Sequence, residues 1–220
     1  MTSDQQAPPA SLDAEAIRTG TAYLRAADPA LGRTIDAVGP CTLTLESDPF
    51  RALVEAIIAQ QISVKAAASI LARVLALCAP DPALTPQHLH TLDEDALRAV
   101  GCSRAKALSL KDLSARIVAG QLDPMRLQGS PDAEAVAQLV AVRGIGRWTA
   151  EMFLIFSLGR PDVWPVDDLG VVIAAQETWA LPARPKRKEL LALGEPLRPY
   201  RTLAAWYLWQ SRRLILGIPW

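Results

Sequence analysis

LVAVRGIGRWTAEMFLIFSLGRPDVWPVDD, running from Leu139 to Asp168, sets Gly144 and Gly146 between two helical patterns and closes on the acids Asp167 and Asp168. Glycine adopts backbone angles closed to other residues, so Val142 to Gly146 reads as a turn too tight for bulky side chains. The helix that follows begins with amide N–H groups that have no carbonyl behind them, and such amides form an anion site. A nucleic-acid phosphate is one occupant, and it would position a duplex without reading its bases. A plain helix-helix corner with no ligand is the other reading of the same glycines.

Outward from this turn the chain reads as almost entirely helical, an all-α fold. Ser130-Pro131 starts the helix that enters the turn, and Arg147 to Leu158 is the helix that leaves it, stopped by Gly159-Arg160-Pro161. Val166-Asp167-Asp168 opens a helix through Glu177, and a last helix from Arg201 to Leu214 carries Trp206 and Trp209. Toward the N-terminus, a helix spans Arg104 to Ala119, and Thr91 with Glu94 has the spacing of a capping box for a short helix ending before Gly101. Residues 79 to 86, APDPALTP, read as a loop, and Val64 to Cys78 as a helix with Ile70, Leu71, Val74 and Leu75 at helical spacing. Ser47 or Asp48 caps the helix before it, with Pro49 in the first turn and Phe50, Leu53, Ile57 and Ile58 on one face. CTLTLE, residues 41 to 46, alternates weakly like a short extended piece, and a first helix from Asp13 to Ala27 stops at Asp28-Pro29. Residues 1 to 12 read as a flexible leader without the basic start and apolar run of a secretory signal.

At 220 residues, half of them hydrophobic, the chain can bury a substantial core as one domain or two small lobes. No stretch approaches the apolar length of a membrane span. Cys41, Cys78 and Cys102 are too widely spaced for a disulfide framework, a zinc site or an iron-sulfur cluster, which suits a reduced, cytoplasmic protein. Net charge is zero but unevenly spread. Residues 1 to 58 carry a local charge of −4, whereas residues 184 to 213 hold Arg184, Lys186, Arg187, Lys188, Arg198, Arg201, Arg212 and Arg213 against two glutamates, a local +6. Such asymmetry makes either a basic face for nucleic acid or a solvated surface.

Taken with its flanks, the stretch LxxxxGIGRWTA from Leu139, the loop Gly159 to Pro165 and the acid Asp168 resemble the helix-hairpin-helix signature of the DNA glycosylase superfamily. Three further segments resemble its 3-methyladenine DNA glycosylase II branch: AIIAQQIS (56 to 63), GCSRAKALSLKDL (101 to 113) and RPYRTLAAWYLW (198 to 209). The resemblance spans about residues 45 to 215, in order. It implies a two-lobed helix-hairpin-helix DNA glycosylase fold with the active-site cleft between lobes. One lobe would cover residues 49 to 160 and the other residues 13 to 48 plus 161 to 220, in a compact form with no room for the N-terminal β domain of the larger enterobacterial enzyme.

The resemblance also implies roles. Asp168 matches the catalytic acid and Asp167 its less essential neighbour; from the residues alone either could cap the helix. A carboxylate placed there would stabilise the positive charge that develops on the sugar as a purine leaves, and would orient or deprotonate water. Trp148 and Trp209 match tryptophans of the base pocket, where Met152 replaces a tyrosine, while Trp164 and Trp206 read as core. An aromatic wall suits an alkylated purine, whose ring is positively charged. Gln61 matches the side chain that fills the hole left by a flipped base, with Gln60 and Ser63 bracing that loop or meeting phosphate. Gly144, Ile145, Gly146 and the hydroxyl of Thr149 would hold a phosphate, and main-chain carbonyls of Val140, Val142 and Ile145 a structural Na⁺ or K⁺. Bifunctional members place a lysine where this chain has Trp148, so a monofunctional hydrolase without lyase activity is implied, with no cofactor for catalysis and no iron-sulfur cluster. The implied partner is double-stranded DNA containing a damaged base, met by a cytoplasmic, nucleoid-associated monomer without a membrane. The lesion would be 3-methyladenine, with 7-methylguanine or hypoxanthine beside it. A non-catalytic structure-specific DNA-binding protein and a glycosylase for another lesion class such as uracil are the competing functions.

Overall fold

The computed structural model describes residues 11–78 and 84–217. Most of the leader (1 to 12) and of the loop expected at 79 to 86 lies outside the described residues. Leu12 does not: it is buried, and its N–H donates to the Gly159 carbonyl at 2.9 Å.

Side-chain caps on aspartate and serine account for most of the helix starts. Asp13 caps α1 (Ala14–Ala27), accepting from the Ala16 amide. Asp28 then both ends α1 and caps α2 (Pro29–Val38), with Pro29 in the first helical position. In sequence Asp28-Pro29 reads only as a stop, and α2 corrects that: proline at a helix start costs nothing, because its missing N–H would have been unpaired there. Asp48 rather than Ser47 caps α3 (Pro49–Ala59), and Ser63 caps α4 (Val64–Leu77). Two short helices follow, α5 (Pro86–Thr91) under a Thr85 cap and α6 (Glu94–Ala99) under Asp93. The expected Thr91–Glu94 capping box does not form, because Thr91 ends α5 and donates its hydroxyl to the His88 carbonyl at 2.8 Å. Ser103 caps α7 (Arg104–Val118). Then come α8 (Asp132–Val140) and, across the glycine turn, α9 (Arg147–Phe156). Asp168 caps α10 (Leu169–Thr178). Sequence reading missed α11 (Arg187–Gly194), which the Glu189 carboxylate caps from inside by accepting the Lys186 amide at 2.7 Å. The last helix is α12 (Arg201–Leu216). Residues 41 to 46 form no strand, and no described residue lies in a sheet.

The chain divides into two compact units, one comprising Glu46–Phe153 and the other the segments up to Leu45 and from Leu154 onward. In the first, α7 packs on α3, α5 and α6, with Leu53, Ile57, Leu89, Leu97, Leu110 and Leu113 buried between them. In the second, α12 packs on α1, α2 and α10 around Leu24, Leu31, Val171, Leu203 and Tyr207. No helix among the described residues is long and apolar enough to cross a membrane.

The segment between α9 and α10, which leads into Asp168, has little helix of its own and is held instead by α12. Arg201, itself buried, donates Nε and Nη2 to the two carboxylate oxygens of Asp162 at 2.7 and 2.9 Å. The Thr202 hydroxyl donates to the Arg160 carbonyl at 2.6 Å and accepts the Val163 amide at 3.0 Å. Trp164 is buried, with Nε1 donating to the Leu190 carbonyl at 2.9 Å. Its ring lies against Gly194, where an added Cβ would stand 2.5 Å from Nε1 and 2.8 Å from Cδ1. Replacing Gly194 by alanine gains about 1 kcal/mol of helix propensity but forces a rigid buried ring to move, an overpacking cost on the order of 1–3 kcal/mol. Gly194→Ala is therefore expected to be net destabilising by up to about 2 kcal/mol, read as a lower urea midpoint with an unchanged slope.

Candidate active site

The glycine turn lies in the first unit and is braced from beneath by α7. Gly144 has φ +76°, and a Cβ there would fall 2.3 Å from Ser109 Oγ, so both angle and space require glycine. Ser109 is buried and donates its hydroxyl to the Ala105 carbonyl at 2.9 Å. One turn along α7, Asp112 Oδ2 accepts the Arg143 amide and Arg116 Nε, each at 2.8 Å. The side chains of Val142 and Ile145 are buried, which seats the turn in the core and leaves Gly144 and Gly146 exposed. Within the turn the Ile145 amide donates to the Val142 carbonyl at 3.1 Å, and the backbone ladder of α9 opens with Ala150 donating to Gly146 at 3.0 Å.

The loop before α4 is tied to the same turn. Gln60 Nε2 donates to the Gly144 carbonyl at 2.9 Å. Gln61 beside it has φ +58°, an uncommon angle for a non-glycine residue, and its side chain is exposed. Ile62 and Val64 are exposed as well, Val64 by 88%, and the sequence reading passed over both. Ser63 is occupied as the α4 cap, accepting the Ala66 amide at 3.3 Å.

On α9, Trp148 is 46% exposed, which a core tryptophan would not be. Thr149 is buried, and Met152 is half-buried. Arg147 Nε pairs with Glu151 at 2.9 Å.

The acids lie in the second unit and have different surroundings. Asp167 is exposed and ion-paired with Arg187. Asp168 is half-buried: its Oδ1 accepts the Val171 amide as the α10 cap and also accepts Trp209 Nε1 from α12, both at 2.8 Å. The indole of Trp209 stacks on Phe156, ring centroids 5.6 Å apart and planes 28° apart. Gly170 gives the indole room, since a Cβ there would meet Asp168 Oδ1 at 3.0 Å and Trp209 Cδ1 at 3.1 Å. Trp164 and Trp206 are both buried in the core of this unit. The structure thus joins Asp168 to Trp209, and Gln60 to the glycine turn. Trp148, Met152 and the turn belong to the unit of Glu46–Phe153, and Asp168 and Trp209 to the other.

Ser109, Asp112, Phe156 and Gly170 were not singled out from sequence. Ser109 and Asp112 do fall inside the segment 101 to 113 quoted for its resemblance, and their spacing puts both on one face of α7. No described group of His, Cys, Asp or Glu is arranged to hold a metal ion, and no disulfide links the cysteines. Burial pushes the Cys41 and Cys102 thiols up, away from thiolate chemistry.

Comparison with known proteins agrees with this geometry. Residues 54–199 match the model of the HhH-GPD superfamily of base excision DNA repair proteins, and the chain belongs to that family. It is 33% identical over 196 residues to the alkylbase DNA glycosidase-like protein mag2 of Schizosaccharomyces pombe, covering 87% of this chain and 92% of that one. The crystal structure of a DNA-3-methyladenine glycosidase from Bacillus halodurans superposes with a TM-score of 0.82 at 33% identity, over 90% of this chain and 91% of that one. The 3-methyladenine DNA glycosylase of S. pombe in complex with abasic DNA follows at 0.76 and 32% identity, over 87% and 95%.

Asp112 gives the turn a measurable pH dependence. Its partial burial pushes the carboxyl up, but the Arg143 amide and the Arg116 guanidinium outweigh that and hold it below the ordinary 3.8. A carboxyl depressed in the folded state stabilises fully above its unfolded value, and the contribution fades as pH falls through the folded value. Asp112→Ala should therefore melt lower than the parent at pH 7, with the gap closing as the pH is taken below 3.8. Thermal melts over a pH series check this, and a gap that stays constant with pH would count against the Asp112 brace.

Proposed function

We propose that the chain is a monofunctional DNA glycosylase that hydrolyses the N-glycosidic bond of alkylated purines, chiefly 3-methyladenine, in double-stranded DNA. The observation that carries the reading is the carboxylate of Asp168, held at the start of α10 by two donors and flanked by the indole of Trp209. Family membership and relatives named for 3-methyladenine support the substrate class.

The base leaves with the bonding electron pair, which neutralises the positive ring of an alkylated purine. Positive charge meanwhile develops on the sugar, and Asp168 stabilises it electrostatically. Water then adds to the sugar carbon, and its proton passes to the Asp168 carboxylate or to solvent. Trp209, beside Asp168, offers the flipped base an aromatic face, and Trp148 and Met152 on α9 are further base-contacting residues, the indoles suiting a cationic ring. Gln61 fills the vacated space in the duplex, and its amide can both donate to and accept from the partner base. Gln60 holds that loop to the turn, and Ser63 braces it as a helix cap. The amides around Gly144, Ile145 and Gly146 receive a phosphate. The hydroxyl expected of Thr149 at that phosphate belongs to a buried side chain, so the amides carry the contact. A carbonyl oxygen has two lone pairs, so Val142, with one engaged by Ile145, keeps one for a monovalent Na⁺ or K⁺ shared with Val140 and Ile145. No amine stands at the position of Trp148, and Arg147 is both paired with Glu151 and too basic to act as a nucleophile, so no strand cleavage accompanies base release. The protein acts as a monomer in the cytoplasm, on the nucleoid.

The test uses duplexes carrying 3-methyladenine, 7-methylguanine, hypoxanthine or uracil, with Asp168→Asn as control. Asparagine caps a helix about as well as aspartate, so the control keeps the fold. The expected result is free base from the alkylated duplexes, strand breaks only after alkali, and base release reduced about 100-fold or more in the control. Release of uracil alone would move the substrate class. Duplex binding with no release from any of the four would favour a DNA-binding protein instead.

A further inference from the structure

We infer that Trp209 is a positioning residue for the reaction as well as a pocket wall, and that Gly170 is the residue that admits it to the Asp168 carboxylate. The inference rests on the glycosylase reading above and assigns to one N–H group a part of the rate.

A helix cap alone does not fix a carboxylate. Asp13, Asp48 and Asp93 each cap a helix through one amide, and that single bond leaves the carboxyl group free to swing about the accepting oxygen. Asp168 has the same amide bond and adds a second donor from another helix, 41 residues away in sequence. Asp28 is the internal comparison. It too receives an amide and an indole, but on separate oxygens, Leu31 N–H on Oδ1 at 2.8 Å and Trp179 Nε1 on Oδ2 at 2.9 Å. At Asp168 amide and indole converge on Oδ1, so neither of these two donors is spent on Oδ2. In both places a second helix adds its indole N–H to the cap, and at Asp168 that donor comes from α12.

Gly170 is explained by the same contact. It is the second residue of α10, and its φ does not lie in the left-handed region, so conformation does not demand glycine. A helical glycine costs about 1 kcal/mol against alanine. The nearest atoms to an added Cβ are Asp168 Oδ1 at 3.0 Å, Trp209 Cδ1 at 3.1 Å and Trp209 Nε1 at 3.3 Å, which are the acceptor, the donor's neighbour and the donor. Those separations are tight enough that a methyl group would push the pair apart. From the other direction, the stack on Phe156 holds the plane of the indole. Trp206, three residues earlier on α12, is buried in the core, whereas Trp209 is only partly buried and spends its N–H on the acid.

The test is a double-mutant cycle of Trp209→Phe and Gly170→Ala beside Asp168→Asn, with single-turnover base release and duplex affinity measured separately on whichever lesion the parent releases fastest. Trp209→Phe keeps a π face and removes the N–H. It should slow base release about 10- to 100-fold, the worth of a hydrogen bond to a charged group, with duplex affinity changed less than about threefold. Gly170→Ala keeps every indole atom and should slow release about tenfold by displacing the acid. The double variant should be no slower than the slower single one, because both substitutions break one contact. Trp209→His, whose ring N–H reaches less far, should recover less than half of the loss on a logarithmic scale.

Unchanged release in Trp209→Phe, with Asp168→Asn inactive, overturns the positioning role and leaves the glycosylase reading standing. So does a loss confined to duplex affinity, or one that multiplies in the double variant. Full base release by Asp168→Asn would instead remove the glycosylase reading, and this inference with it. Melting curves accompany each variant; should Trp209→Phe not fold, Gly170→Ala decides the matter alone.

Discussion

The pair formed by Arg201 and Asp162 is the contact on which the acidic site depends. The segment from Ser157 to Asp167 has to leave α9, turn, and deliver Asp168 to the start of α10 with little backbone ladder of its own. A buried guanidinium taking both oxygens of a carboxylate supplies the directionality that such a segment lacks. Arg198 Nη1 joins the same Asp162 carboxylate at 2.7 Å and Glu195 stands 3.8 Å from Arg201, so the pair is one part of a small charge network and its loss costs less than the about 3–5 kcal/mol of an isolated buried pair. Thr202, next to Arg201, adds two hydrogen bonds to the same segment, so the first turn of α12 works as a clamp. Two turns further along the same helix stands Trp209. One helix therefore fixes the approach to Asp168 and orients its carboxylate.

The two units solve their positioning problems with the same device, a glycine that lets an oxygen come unusually close. Gly144 sits over Ser109 Oγ, and Gly170 over Asp168 Oδ1. In each case the approach is paired with a carboxylate that takes two donors on one oxygen, Asp112 beneath the turn and Asp168 at α10. The difference is in the donors. Asp112 takes a backbone amide and an arginine, which settles a loop, whereas Asp168 takes a backbone amide and an indole, which sets an aromatic face beside the carboxylate.

Local signals carried much of the fold. Asp13, Asp48, Ser63, Ser103 and Asp168 each precede an apolar period and each caps the helix expected after it. Failures came where one residue serves two helices or where a cap is unorthodox. Asp28 ends α1 and starts α2, so a stop signal concealed a start; α11 is capped from its own third residue, with no Ser, Thr, Asp or Asn in place. The site was legible in its residue types but not in its contacts. Nothing local distinguishes Asp167 from Asp168. What separates them is Arg187 on one and Trp209 on the other, both distant in sequence. Gly170 finds its reason only in the indole beside it, from a helix distant in sequence.

A few of the exposed apolar residues stand at helix starts. Val64 opens α4, Trp148 lies in the first turn of α9, and Leu169 opens α10, and all three are exposed. Phe50, Leu31 and Leu203, in the first turns of α3, α2 and α12, are by contrast buried. A helix N-terminus offers amides and a partial positive charge, which favour an anion. An exposed Val, Trp or Leu next to it favours the loss of water instead. A ligand that satisfies both demands at once must alternate charge with flat apolar surface over a short distance. A nucleic acid does so, with phosphates on its rim and bases exposed wherever the stack is opened. Within the unit of Glu46–Phe153, exposed Val64 and Trp148 at the starts of α4 and α9 suit such a partner, whereas the start of α10 already holds the Asp168 carboxylate.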